Sequence, residues 1–133
     1  MIDGMPEYEV SEEYGVLGAD IITEKLPWIL AAGISIGFLA STKEKKRGKT
    51  KKILGDCTKV PERWKPYCPH DFVITIYETS CIGMTDDQLR ILIWHELQHV
   101  GMDDKGKYYV RPHDVEDFDD ILNIYGMRWA DVM

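Results

Sequence analysis

Hydrophobic and polar positions follow different periods along the chain, and the changes of period mark its elements. Ile21, Ile22, Leu26, Ile29 and Leu30 recur near helical spacing, which predicts a helix over 19–32. Pro27 lies inside that run, so a kink or a break into two shorter helices is expected. Gly33 ends it, and Ile34 to Thr42 reads as a strand. Lys43 to Lys52 is a charged turn with Gly48 near its middle, and Ile53 to Cys57 reads as the returning strand of a hairpin. Residues 58–70 carry three prolines and read as a loop. Phe72-Val73-Ile74-Thr75-Ile76-Tyr77 alternates as a strand, with Phe72, Ile74 and Ile76 on one side. Residues 1–14 are acidic and polar, and about the first seven read as loose.

A second helical period begins at Thr85. Thr85-Asp86-Asp87-Gln88 has the form of a capping box. Leu89, Ile93 and Val100, with Leu97 beside them, form a core-facing stripe, and Leu92, His95 and His99 share another. Gly101 is the expected stop. A polar loop (102–107) and an extended piece, Tyr108 to Arg111, follow. Pro112 suits the first turn of a last helix from His113 to Ile124, with Val115, Phe118, Ile121, Leu122 and Tyr125 on its apolar face. There is no internal repeat, and residues 1–133 read as one domain.

Composition narrows the class. Of 133 residues 44% are hydrophobic, which predicts a folded chain. A net charge of −7 and a pI near 5.0 argue against a general binder of nucleic acid or anionic membrane. The apolar stretch 26–40 is short for a bilayer span and is interrupted by Pro27, Gly33 and Gly37. It reads as the end of a buried helix followed by a buried strand, so no membrane role is expected. Cys57, Cys68 and Cys81 are odd in number and at no standard spacing, which suits reduced thiols in a cytoplasm. With His70 they make C-x10-C-x-H-x10-C, which is not a zinc-finger or ribbon pattern.

The chemistry lies in His95-Glu96-Leu97-Gln98-His99. Two imidazoles one helical turn apart can share a metal ion, and the glutamate beside them can work on its water. A catalytic zinc takes three protein ligands and keeps a fourth position open. Metzincin spacing would require glycine at 102 and histidine at 105, where the chain has Met102 and Lys105. His113, fourteen positions after His99 at the start of the next helix, is the favoured third ligand. Asp114, Glu116 and Asp117 are the carboxylate alternatives. Glu96 would then be the general base. Tyr109 or Arg111, alternating with His113 onto one face, is a candidate oxyanion donor. Asp114 and Asp117 could orient a metal-bound imidazole or simply serve the helix N-terminus. Seven of the sixteen basic residues fall in the turn 43–52, which reads as a solvated tip in preference to a nucleic-acid contact.

The sequence resembles the family of putative phage metallopeptidases from about Tyr8 to Ile124. The carriers are GADIITEKLPWIL, IGFLASTKEKKRGKTKKILGDCTKVP, DFVITIYE, QLRILIWHELQHVG and RPHDVEDF, the last two being the specific ones. It is also similar to the minimal core of SprT-like and other gluzincin-type peptidases. The resemblance implies one catalytic zinc ion, Zn2+, at His95, His99 and His113, with Glu96 catalytic. It implies an α+β, minimal zincin-like fold. A small, mostly antiparallel sheet packs on an N-terminal helix and the active-site helix, and a C-terminal helix follows. An edge strand, with Phe72 to Glu78 as the candidate, would hold an extended peptide. The expectation is a zinc-dependent metallopeptidase, phage or prophage encoded, acting on a protein or peptide in the bacterial cytoplasm. A regulatory peptidase that cuts a repressor or a host defence protein uses the same site. The rival is a zinc-containing binding module without turnover, against which the intact Glu96 speaks.

Overall fold

The computed structural model describes residues 7–48 and 51–112. The elements in chain order are β1 (Tyr8–Val10), α1 (Glu12–Lys25), α2 (Pro27–Ala31), β2 (Ile36–Ser41), β3 (Lys45–Arg47), β4 (Lys51–Ile53), β5 (Gly55–Lys59), β6 (Phe72–Tyr77), α3 (Asp86–Leu97), β7 (Val100–Met102) and β8 (Tyr108–Val110). Short 3-10 turns lie at Glu62–Trp64 and Glu78–Cys81. The architecture is mixed α and β, with three α-helices among the described residues and a small sheet. None of these helices is long and apolar enough to cross a membrane.

The first helix begins seven residues before its predicted start. Ser11 caps it by accepting from the Tyr14 N–H at 3.1 Å, and Glu12 and Glu13 occupy the first turn. The apolar period hid this turn because Gly15 and Gly18 interrupt it and Val16 faces solvent. Gly18 is set by packing: a Cβ there would lie 2.3 Å from the Phe38 ring. The expected break falls at Leu26, and Pro27, which has no N–H to donate, takes the first turn of α2.

The main sheet has the order β1-β2-β6-β5. β1 and β5 lie antiparallel to their neighbours, while β2 and β6 run parallel from Ile36↔Phe72 to Ser41↔Tyr77. The predicted hairpin is therefore corrected. The hairpin is the separate ribbon of β3 and β4, and β6 enters between the two strands expected to pair. Phe72 to Tyr77 is also corrected, from candidate edge to a central strand. Its near-continuous apolar run suits a strand covered on both faces, with Phe72, Ile74 and Ile76 fully buried. The edges are β1 and β5.

α3 packs between this sheet and α1. The predicted capping box is present, with Thr85 Oγ1 accepting from the Gln88 N–H at 3.2 Å and Gln88 accepting from the Thr85 N–H at 2.9 Å. One buried stripe was expected, yet every residue from Ile91 to Leu97 is buried. α1 covers the second side: Arg90 reaches Glu24 at 3.3 Å, and Lys25 lies over the Trp94 ring.

Two glycines of α1 separate helix propensity from packing. Gly15→Ala, with no neighbour near its Cβ, should raise stability by roughly 0.5–1 kcal/mol. Gly18→Ala should lower it by about 1–3 kcal/mol through the clash with Phe38. Urea midpoints that move in the same direction for both would contradict this packing.

Candidate metal centre

α3 ends at Leu97, so His99 is not on the helix with His95. The last turn tightens: the Gln98 N–H bonds the Trp94 and His95 carbonyls, and the His99 N–H bonds the Glu96 carbonyl at 3.1 Å. The chain then turns into β7. Gly101, the expected helix stop, is instead a strand residue paired with Tyr109. The expected polar loop is the tip of the β7–β8 hairpin. There Asp103 Oδ1 accepts from the Lys105 and Lys107 N–H groups, and Gly106 supplies the left-handed residue at φ 81°.

This geometry gives His99 its partner. The Arg111 N–H donates to the His99 carbonyl at 2.6 Å, as the next rung of the hairpin. The His99 N–H is spent on the helix end, and its ring takes the vacant place in the ladder. Nδ1 lies 2.6 Å from the Arg111 carbonyl oxygen. A carbonyl can only accept, so Nδ1 carries the proton and Nε2 presents a lone pair. The sequence suggested Asp114 or Asp117 for this second-sphere role; at His99 the structure supplies the Arg111 main chain.

His95, Glu96 and His99 are all buried, at 7%, 5% and 9% exposure. The two imidazoles lie with centroids 5.3 Å apart and planes at 82°. Glu96 Oε1 is 4.0 Å from His99 Nε2. A carboxylate and two imidazoles brought together at such depth are nitrogen and oxygen donors of the kind a divalent cation takes. The chemistry of this donor set therefore fits a metal. Among the described residues no third His, Cys, Asp or Glu completes a cluster with them. His113, the expected third ligand, lies outside the described residues, as do Asp114, Asp117 and the predicted last helix.

The wall opposite Glu96 is β5, which sequence reasoning did not assign to the site. A Cβ on Gly55 would stand 3.1 Å from the Thr75 carbonyl oxygen, a tight approach that favours glycine, and 3.4 Å from Glu96 Cγ, in ordinary van der Waals contact. An isolated glycine within a strand pattern was the available signal. Cys57, two residues on, has its thiol pushed up to about 12, by burial first and then by Glu96 and Asp56. Tyr109 and Arg111 share a face, as their alternation predicted. Both close over Gly101, where a Cβ would meet Tyr109 Cζ and Arg111 Cγ at 2.8 Å. His70 is engaged elsewhere: its Nδ1 is 2.8 Å from Ser35 Oγ, and its ring packs over Gly37.

Residues 6–133 match the family described as putative phage metallopeptidase. The chain belongs to that family. The match spans every described element, and membership implies a metal ion in a peptidase context. No curated protein and no solved structure matches the chain.

The thiol beside Glu96 provides a check on this wall. Cys57, and Cys81, which burial and Glu78 push up to about 11, should stay protonated through neutral pH. Native protein at pH 8 should modify at both positions at least about tenfold more slowly than unfolded chain, read by mass spectrometry. Because both folded values lie above the ordinary 9.0, their stabilisation is complete below that pH. It is lost as pH rises toward 11–12, so the melting temperature should fall there.

Proposed function

We propose that the protein is a zinc-dependent metallopeptidase on a zincin-like fold, phage or prophage encoded and acting in the host cytoplasm. The observation that carries this reading is the buried trio of His95, Glu96 and His99, with the His99 Nδ1 proton directed at the Arg111 carbonyl. His95 and His99 would hold the ion, with His113 as third ligand. Bound there, zinc would supply Lewis acidity toward the scissile carbonyl and acidify a water.

The other roles belong to the chain's own groups. Glu96 accepts the proton of the attacking water at its carboxylate and returns it to the leaving amine. Its burial keeps that carboxylate out of bulk water. Arg111, through its main chain, keeps the His99 ring in one tautomer and orientation. Tyr109 or Arg111, through the side chain, stabilises the developing oxyanion. β5 replaces Phe72–Glu78 as the strand that receives an extended substrate. Its second edge pairs with no strand among the described residues, and Gly55 on it adjoins Glu96.

The test compares wild type with Glu96→Gln on a proteome-derived peptide library. Glu96→Gln should lower cleavage at least about a thousandfold while retaining zinc, as expected for loss of a general base. His113→Ala should lose both zinc and cleavage. Zinc retained by His113→Ala would refute the third-ligand assignment. Zinc with no Glu96-dependent cleavage of any peptide would favour a binding module in its place.

A further inference from the structure

The chain's positive charge is concentrated in one place. Residues 43–52 hold seven cations against one carboxylate, Glu44, for a net +6 in a chain of −7. The remaining 123 residues therefore carry −13. β3 and β4 form a two-stranded ribbon outside the main sheet, with Lys46 opposite Lys52 and Arg47 opposite Lys51. Like charges set opposite each other weaken a ribbon. Neutralisation from within is thin: Glu44 lies 3.5 Å from Lys46 and 3.9 Å from Lys52, and Asp56 takes Lys45 at 2.9 Å. Lys43, Lys46 and Lys52 are exposed.

The position of this charge gives it a use. β4 ends at Ile53 and β5 begins at Gly55, with Leu54 alone between them. Leu54 keeps the ladder going, because its carbonyl accepts from the Tyr77 N–H at 2.9 Å. The ribbon is thus a direct continuation of the edge strand beside Glu96, at the end where Gly55 meets that glutamate. Lys52 stands about 10 Å of extended chain from Gly55, roughly three residues.

We propose that the ribbon of β3 and β4 selects substrate by engaging an acidic stretch of polypeptide on one side of the bond cut beside Glu96. This rests on the peptidase reading above and adds the substrate class. A peptide laid along β5 places a few carboxylates at the ribbon and none against the acidic remainder of the chain. A nucleic-acid duplex carries its charge past the ribbon in both directions, where that remainder repels it.

The experiment uses the full chain supplied with zinc and three peptide pools. Each pool has a randomised centre flanked on one side by Glu-Glu-Glu, Ser-Gly-Ser or Lys-Lys-Lys. The Glu-flanked pool should be cut about tenfold faster than the Ser-flanked one at low salt, and the ratio should fall toward one in Lys46→Glu/Lys52→Glu. Lys46→Gln/Lys52→Gln, which only removes charge, should give an intermediate ratio, with folding of both variants checked by circular dichroism. Cleavage of the Glu- and Ser-flanked pools at equal, measurable rates overturns the proposal. Binding is read separately by fluorescence anisotropy on Glu96→Gln protein, with a labelled Glu-flanked peptide, a Ser-flanked peptide and a 20-base-pair DNA duplex as probes. Tighter binding of the Glu-flanked peptide, lost on reversing Lys46 and Lys52, supports the ribbon's role even where no pool is cut. Failure of hydrolysis and failure of recognition are thereby told apart. Tighter binding of the duplex, lost in the same variant, overturns the assignment in favour of nucleic acid.

Discussion

The rest of the site depends on how the chain leaves α3. The His99 main-chain N–H closes the last helical turn onto Glu96, and its carbonyl accepts from Arg111. Its ring then donates to the Arg111 carbonyl. One residue thereby ends a helix, begins a hairpin and has its imidazole fixed by main chain, not by a mobile side chain. Such a bond is worth about 1 kcal/mol in stability. Its larger effect is directional, because it leaves Nε2 as the only nitrogen that can take a metal.

Three close approaches hold the neighbouring walls in place, each at a glycine. Gly18 admits the Phe38 ring between α1 and β2, Gly55 admits the Thr75 carbonyl beside Glu96, and Gly101 admits Tyr109 and Arg111 across the hairpin. A side chain at Gly18 or Gly101 would push these surfaces apart, and one at Gly55 would crowd the Thr75 carbonyl. Burial of Ile93, Leu97 and Val100 anchors the same segment to the core from the other side. The position of Glu96 is thus set by packing on both faces of α3.

Local signals made some of this legible in sequence. The capping box at Thr85, the His-Glu-x-x-His spacing and the break at Pro27 each depend on residues within a few positions. Three other features depend on contacts that no local pattern carries. The parallel pairing of β2 with β6 joins strands more than thirty residues apart and splits the pair that seemed a hairpin. Val100 fell on the helical stripe with Leu89 and Ile93, so a buried strand residue looked like more helix. Gly55 carried no sign of the site in the strand pattern, because Glu96, which it adjoins, is forty-one residues away.

The central claim is that His95 and His99 hold a metal ion beside Glu96. Calorimetric titration of chelator-stripped protein with zinc tests it most directly. The account predicts one ion per chain, with binding abolished by His95→Ala and by His99→Ala. Protein that stays folded and takes up no zinc would contradict it.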